Sequence, residues 1–173
     1  MAGANREQGG RNDWLRLDDA RLLRQCREER YRASGPGGQR RNKVETAIRL
    51  HHGPSGVASQ AEESRSLAEN RKRAVRRLRE RIAITCREPM DLETSVLPTE
   101  VLARIRRDGR LALNPRNRVY PFMVASVLDA LAAADGSYAK AGRAVGVTTS
   151  QLIHFLRADA QLERALDVMR DRP

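Results

Sequence analysis

The sequence predicts an α+β fold in two parts. A first domain combines a short mixed or antiparallel sheet with a packing helix, and an all-α domain of helix-turn-helix type follows. Three patterns support this prediction. Apolar and polar side chains alternate over residues 44–50, as in a half-buried strand. Apolar residues recur at helical spacing over 67–84, and they do so again after Pro121.

The first elements follow a polar segment. Residues 1–13 are small, polar and glycine-containing, which predicts a disordered tail, and the first domain is predicted over 14–87. Asp18 or Asp19 is the expected N-cap of a short helix that has Leu22 on its apolar side.

Strands are predicted next. Residues 28–34 have the character of a polar strand, and they run into a Gly/Pro loop that can be neither helix nor strand. The clearest strand is 44–50, because its apolar and polar residues alternate. After a turn at 52–56, residues 57–61 continue as a weaker strand.

A long basic helix is predicted from Leu67 to about Ile84. Ser66 and Glu69 match a capping box, in which each side chain bonds the backbone N–H of the other. One stripe is apolar and can pack on the strands: Leu67, Ala74, Val75, Leu78 and Ile82. The other faces carry seven cations: Arg71, Lys72, Arg73, Arg76, Arg77, Arg79 and Arg81. Only Glu80 is available to relieve the repulsion among these cations. Their density therefore favours a face that contacts RNA over the alternative of a solvated face.

A basic, proline-containing linker is predicted over 88–118. It holds one short helix, which starts at Pro98 or Thr99 and stops at Gly109.

The all-α domain is predicted over 119–173. Its first helix follows Pro121, two helices of helix-turn-helix type meet at Gly146, and a last helix spans about 160–169. From residue 121 onward the chain has six basic and six acidic side chains, so this part is neutral. Neutrality favours docking on a protein or an RNA over sequence-specific binding of DNA.

The positive charge lies in the first two thirds of the chain. The 173 residues carry 33 Lys+Arg and 22 Asp+Glu, a net charge of +11, and all of this excess falls within residues 1–120. It predicts a polyanionic partner, with solubility as the alternative. Aromatic residues are only 3% of the chain, so arginine contacts to the phosphates of folded RNA or a duplex are favoured over base stacking.

Several classes of protein are disfavoured. The chain has no apolar run of membrane-spanning length, and its first residues lack the apolar region of a signal peptide. Cys26 and Cys86 are far apart, which indicates reduced thiols. We therefore expect a cytoplasmic protein with no membrane partner. His51 and His52 would point to opposite sides of a strand, so no metal set is seen and no cofactor is implied.

The loop Gly35–Gln39 is the most unusual feature of the sequence. Alone, Gly-Gly-Gln is a weak signal, for which an ordinary glycine turn is the alternative. Three further motifs follow it in order: Asn42-Lys43, His52-x-Pro54-Ser55-Gly56 and Arg65-Ser66-x-x-x-Asn70. Together, over about 18–84, they resemble the catalytic domain of class I peptide-chain release factors. Leu67 departs from the family, which usually has Gln there, and we interpret it as a packing variant.

The resemblance implies hydrolysis of peptidyl-tRNA in the peptidyl-transferase centre of the large ribosomal subunit. In the family, the backbone N–H of the Gln stabilises the transition state, and its side chain shapes the space for water. Carried over, Gln39 is the catalytic residue, and Gly37 and Gly38 keep the loop thin and allow backbone angles closed to other residues. The predicted RNA contacts are Arg40, Arg41, Asn42, Lys43, His52, Arg65, Asn70, Arg71, Lys72, Arg76 and Arg79.

The expected subtype is a small, codon-independent ribosome-rescue homologue. The 34 residues before Gly35 are too few for the decoding domain of a stop-codon-reading factor, and the chain ends without the basic tail of many rescue homologues. Two other hypotheses stay open. One is a helix-turn-helix binding protein with a vestigial Gly-Gly-Gln loop, and the other is an RNA-binding factor that occupies ribosomal subunits without hydrolysis.

Overall fold

The computed structural model describes residues 9–32, 45–111 and 113–170. The loop Gly35–Gln39 lies outside these ranges. The chain divides into two compact units, unit 1 up to Thr85 and unit 2 from Cys86.

Unit 1 is a small antiparallel sheet covered by a long helix. Its described elements are α1 (Arg11–Arg16), α2 (Asp19–Arg24), β1 (Cys26–Tyr31), β2 (Ala47–His52), β3 (Ala58–Ala61) and α3 (Leu67–Thr85). The strand order is β1-β2-β3, so β2 is central. Cys26 pairs with His52 and Tyr31 with Ala47, and the segment between these strands therefore leaves and re-enters the sheet at one end. The mixed α/β architecture agrees with the prediction.

The core of unit 1 lies between α3 and the sheet. Ile48 and Leu50 of β2 are fully buried, and they face the apolar stripe of α3 that periodicity predicts. Of that stripe, Ala74, Val75, Leu78 and Ile82 are buried. At the start of α3, the Glu69 N–H donates to Ser66 Oγ at 3.3 Å, as in a capping box. The Ser66 N–H donates instead to Ser64 Oγ at 3.1 Å.

Some boundaries in unit 1 differ from the prediction. Residues 11–13 belong to α1, although their polar composition predicts a disordered tail. Trp14 and Leu15 are buried, and their burial holds this first helix against α3. The central strand begins at Ala47, three residues later than alternation predicts, and it continues to His52, which is also buried.

Unit 2 consists of helices packed around a central one. Its described elements are α4 (Thr99–Asp108), α5 (Tyr120–Ala133), α6 (Tyr138–Val145), α7 (Thr149–Arg157) and α8 (Ala160–Arg170). Every residue of α5 from Tyr120 to Leu131 is buried, since α5 is the core of the unit. Within the described ranges, no helix is long and apolar enough to cross a membrane.

The tight corner between α6 and α7 depends on two glycines. Gly146 ends α6 with φ +82°, a left-handed conformation that costs glycine little. A Cβ on Gly142 would lie 3.0 Å from the Val147 carbonyl oxygen, so the chain turns directly over this position. Thr148 then caps α7 by accepting from the Gln151 N–H at 3.2 Å.

The predicted linker 88–118 packs within unit 2. Its helix α4 contacts α5, and Val101 and Leu111 are buried. Just before it, Arg87 Nη1 lies 3.2 Å from Asp129 Oδ1 on α5. The sequence predicts a linker here because the segment is rich in arginine and has only a few apolar residues. Those few residues attach it to the helical core.

Candidate functional site

The candidate catalytic segment joins β1 to β2. Gly37, Gly38 and Gln39, together with the predicted RNA contacts Arg40, Arg41, Asn42 and Lys43, lie outside the described residues, and their roles stay predictions. The residues on either side of the segment are described. Tyr31 and Ala47 are partners in the sheet, so both flanks rest on the same rigid end of it.

Asn70 holds the returning flank of this segment. Its Nδ2 donates to the Thr46 carbonyl at 2.7 Å and to the Ser64 carbonyl at 2.8 Å, and its Oδ1 accepts from the Ser64 N–H at 2.9 Å. The residue is completely buried. Asn70 therefore fixes the chain immediately before β2, and it has no exposed surface for the RNA contact predicted from sequence.

Tyr31 is held at the other flank. Its hydroxyl donates to Glu62 Oε2 at 3.0 Å, and the Arg49 guanidinium lies 5.5 Å from the centre of its ring. Burial and the Glu62 carboxylate raise the pKa of Tyr31, so the hydroxyl stays a hydrogen-bond donor at neutral pH. The nearby pair of Arg32 and Glu45, at 3.7 Å, is exposed and contributes little.

His52 belongs to the interior of unit 1. Gln25 Oε1 can only accept, so His52 donates to it from Nε2 at 3.0 Å, and Nδ1 accepts from the Ser55 hydroxyl at 2.7 Å. The edge-on ring of Trp14 is 5.3 Å away. His52 is 1% exposed, so it organises the turn and does not reach RNA. The half-exposed His51 faces away, as predicted, with Nε2 3.2 Å from Glu29 Oε2.

The burial of His52 makes unit 1 sensitive to acid. Burial lowers the pKa of His52 from 6.5 to about 4. Between these values the unfolded chain binds a proton that the folded chain does not, so stability is present at neutral pH and falls as the pH falls. From pH 7 to pH 5 the free energy of unfolding should drop by about 2 kcal/mol. Urea unfolding followed by the fluorescence of Trp14 measures this change.

The neighbouring histidine provides the control for this experiment. His52→Gln should lose most of the pH dependence between 5 and 7, whereas His51→Gln should keep it. Equal pH dependence in the two variants would show that His52 is not the responsible group.

Most cations of α3 are paired with carboxylates from other parts of unit 1. The sequence predicts repulsion that only Glu80 relieves, and this is wrong because Glu69 of α3 and carboxylates of β1, α2 and the segment before α3 supply further partners. Arg71 binds Glu28 of β1 in a bidentate pair, at 2.9 and 2.6 Å, and this contact lowers the pKa of Glu28. The other pairs are Lys72–Glu69, Arg73–Glu63, Arg76–Glu80, Arg77–Glu63 and Arg79–Asp19.

Arg79 is a structural cation. Its side chain is 7% exposed, with Nη1 donating to Asp19 Oδ1 at 2.7 Å and Nη2 to the Leu17 carbonyl at 2.6 Å. These bonds join the α1–α2 connection to α3. The prediction that Arg79 contacts RNA conflicts with this burial, because the guanidinium faces the protein interior.

Among the described residues, the predicted RNA contacts Arg65 and Lys72 are exposed, and Arg76 is half-exposed. Lys72 and Arg76 lie one turn apart on α3, with side chains 75% and 40% exposed, and Arg65 precedes the helix. The ion pair of Lys72 with Glu69, at 3.7 Å, is exposed on both sides and weak enough to be exchanged for a phosphate contact. Arg76 lies 3.7 Å from Glu80, whose side chain is 12% exposed. Among the described residues, no group of three His, Cys, Asp or Glu side chains could hold a metal ion.

Sequence reasoning missed the partners of these residues, above all Glu28 and Gln25. The period-two pattern of β1 contains one usable signal. Successive side chains of a strand point to opposite faces, so Glu28 lies on the face opposite to Arg27 and Glu29. Glu28 pairs with Leu50 of β2 on the face that α3 covers, where a carboxylate needs a cation. Nothing comparable points to Gln25, which lies in the turn between α2 and β1.

Comparisons with known proteins agree on one family. The model of the RF-1 domain matches residues 23–121. A peptide chain release factor 1 of Chloroherpeton thalassium is 43% identical over 74 residues, which are 40% of this chain and 21% of that protein. Its namesake in Ureaplasma parvum is 34% identical over 97 residues, which are 55% and 27% of the two chains. This chain thus spans about a quarter of these relatives. No solved structure matches.

Proposed function

Because the chain belongs to the RF-1 domain family of class I peptide-chain release factors, we propose that it is a peptidyl-tRNA hydrolase that releases nascent chains from ribosomes. The observation that supports this most is the Gly37-Gly38-Gln39 sequence inside the matched region. The site of action is the peptidyl-transferase centre of the large subunit, and the cellular compartment is the cytoplasm.

The proposed reaction is hydrolysis of an ester. Water adds to the carbonyl carbon that links the nascent chain to tRNA, and the bond to the tRNA oxygen breaks, giving a free peptide and a free tRNA. The backbone N–H of Gln39 stabilises the charge that develops on oxygen, and the side chain of Gln39 shapes the space for water. Gly37 and Gly38 let the backbone approach closely. Ribosomal RNA forms the rest of the site.

Unit 1 presents this segment from a rigid base. The paired ends of β1 and β2 set the direction, and Asn70 fixes the chain at Thr46. Asn70 therefore acts as a positioning residue, whereas the buried His52 and Arg79 stabilise unit 1 away from the segment.

The RNA contacts fall to exposed and undescribed residues. The exposed Arg65 and Lys72 and the half-exposed Arg76 bind rRNA phosphates, and Arg71 can join them where Glu28 releases it. The segment that precedes β2 supplies Arg40, Arg41, Asn42 and Lys43.

The reaction is codon-independent in this proposal, as in the rescue homologues that the sequence resembles. Helices α6 and α7, with the Gly146 corner between them, form a helix-turn-helix-like docking module. The module locates the stalled particle and takes no part in ester cleavage.

Release of labelled peptide tests the proposal. The substrates are ribosomes stalled without a stop codon, ribosomes stalled at a stop codon, and split large subunits carrying peptidyl-tRNA. Release from the first or the third at a rate independent of the codon is expected. Release only at a stop codon would contradict codon independence. Tight binding without any release would favour the non-catalytic RNA-binding hypothesis.

A charge-removal experiment tests the exposed face of α3. Lys72→Gln combined with Arg76→Gln should weaken ribosome binding and make the slope of log affinity against log salt shallower by about 1 to 2. Lys72→Gln should hardly change stability, since the Lys72–Glu69 pair is exposed. Arg76→Gln should cost more, because Glu80 is only 12% exposed and loses its cation. Filter binding at several salt concentrations measures the slope.

Arg21→Gln is the matched control, because it removes an exposed cation of α2 that the proposal does not use. Its salt slope should equal that of the wild type. An unchanged slope in the α3 double variant would show that this face is merely solvated.

A further inference from the structure

Unit 2 contains a groove beside α7, which we name the α7 groove. Leu111, Leu113, Tyr120 and Phe155 form its apolar floor, and Arg110, Ser150 and His154 stand on its rim. Its volume is about 520 Å³, within the range of sites that bind small ligands. All of these residues belong to unit 2, whereas the segment that carries the proposed chemistry belongs to unit 1.

The charge around the α7 groove is one-sided. None of the described residues that line it is acidic. Arg110 on the rim and Arg116, which follows a lining proline, are exposed, and neither has a carboxylate partner among the residues that the structure describes. Asp159 lies near the floor, but its carboxylate accepts from the Tyr120 hydroxyl and the Gln161 N–H, both at 2.8 Å. An anionic ligand therefore meets cations without a competing free carboxylate.

The basic rim is held in place by α7 itself. Gln151 Nε2 donates to the Gly109 carbonyl at 2.9 Å, directly before Arg110, and Gln151 Oε1 accepts from the Thr148 N–H at 3.0 Å. Leu111, the next residue, is 1% exposed. Arg110 lines the groove together with the exposed Ser150 and His154. Hydrogen-bond donors and apolar side chains therefore line the same groove.

We propose that the α7 groove binds single-stranded RNA, with one unstacked nucleotide in the groove. The phosphate is bound by Arg110, with Ser150 and His154 as further donors, because a guanidinium matches phosphate geometry. The base lies on the apolar floor formed by Leu113 and Phe155, as unstacked bases do in other RNA complexes. This inference rests on the proposed function, which brings the chain to the ribosome, and it gives the docking module an RNA ligand.

The distribution of charge in unit 2 supports an RNA ligand over an acidic protein surface. Residues 86–173 hold 13 Lys+Arg and 11 Asp+Glu, so unit 2 is nearly balanced as a whole. Arg110 nonetheless lines a concave groove of nucleotide size, and Arg116 directly follows the lining residue Pro115. An acidic protein partner with a flat surface would require cations spread over a convex face of unit 2. An RNA backbone carries one phosphate per nucleotide and therefore fits cations concentrated at one groove.

Full-length protein and labelled oligonucleotides test this inference. The probe is a fluorescein-labelled twelve-residue oligouridine, compared with its deoxy counterpart by fluorescence anisotropy. Arg110→Gln combined with Arg116→Gln should weaken binding of the RNA about fivefold or more. The salt slope should become shallower by about 0.7 for each phosphate that the protein no longer neutralises. The variant should unfold at the wild-type temperature, since both side chains are exposed.

The control variant removes the same charge elsewhere in unit 2. Lys140 and Arg143 are exposed on α6 and do not line the α7 groove. Lys140→Gln combined with Arg143→Gln should change RNA affinity less than about twofold, because a distant charge acts only through the screened field. Equal losses of affinity in the two double variants would overturn the proposal, and so would equal or tighter binding of the deoxy strand.

Crosslinking separates this groove from the RNA surface of unit 1. Oligouridine that contains 4-thiouridine should crosslink to peptides covering 110–120 or 150–158, and crosslinks confined to unit 1 would overturn the proposal. Peptide release is read in parallel at saturating protein. An inactive wild-type chain that still crosslinks in the α7 groove would contradict the hydrolase and leave the RNA site standing. A chain that releases peptide but forms no crosslinks in the α7 groove would contradict the RNA site and leave the hydrolase standing.

Discussion

We expect Gly38→Ala to abolish peptide release and to leave ribosome binding within about twofold of the wild type. A Cβ at position 38 removes the backbone freedom of glycine and adds bulk where the proposed chemistry needs a thin chain. The Gln39 N–H is then no longer aimed at the reacting oxygen. Loss of one such donor costs on the order of 10²–10³ in rate, and loss of the loop conformation costs more. Single-turnover release at saturating protein measures the chemical step.

Gln39→Ala is the matched control for this variant. It keeps both glycines and the backbone N–H, and it removes only the side chain that shapes the space for water. We therefore expect a smaller loss of rate than for Gly38→Ala. A Gly38→Ala protein that releases peptide at the wild-type rate would contradict the proposed role of the motif.

Asn70→Asp should be the most damaging single change among the described residues of the candidate site. The carboxylate keeps the acceptor for the Ser64 N–H but replaces the Nδ2 donor, so two carbonyl oxygens lose their partner and face an oxygen instead. Because the site is fully buried, the free energy of unfolding should fall by about 2–4 kcal/mol. Urea unfolding followed by Trp14 fluorescence measures this decrease.

Peptide release separates stability from positioning in the Asn70 variant. Under conditions where the variant is still folded, release should be slower at saturating protein, because the flank at Thr46 is no longer fixed. Glu69→Gln is the control, since it changes an exposed neighbour on the same helix and should alter stability by less than about 0.5 kcal/mol. Wild-type release by folded Asn70→Asp would restrict Asn70 to a role in stability.

Local patterns in the sequence predict many of the elements. The apolar stripe of α3 and the stop signal at Gly109 depend on residues within a few positions of each other, and both agree with the structure. The start of β2 is less well predicted. The alternation of apolar and polar residues begins at Val44, whereas the strand begins at Ala47. The paired ends of a strand depend on its neighbours, which a one-dimensional pattern does not contain.

The candidate site shows the limit of sequence reasoning more clearly. Motif order singles out Asn70 and His52, but it does not distinguish a residue that touches RNA from one that holds the protein together. Arg79 and Asp19 meet across 60 positions of sequence, so no local rule pairs them. The burial of Arg79 follows from the packing of α3, and charge patterns alone predict the opposite, an exposed cation.

The register of β1 and β2 has a consequence for how this protein can vary. Tyr31 and Ala47 are already neighbours in the sheet, so the connecting residues need only bridge a short fixed gap. The entropy of closing such a connection grows with the logarithm of its length, and a doubling costs only about 0.6 kcal/mol. The reach and composition of the candidate catalytic segment can therefore change over evolution with little effect on stability, while the strands and α3 that support it stay the same.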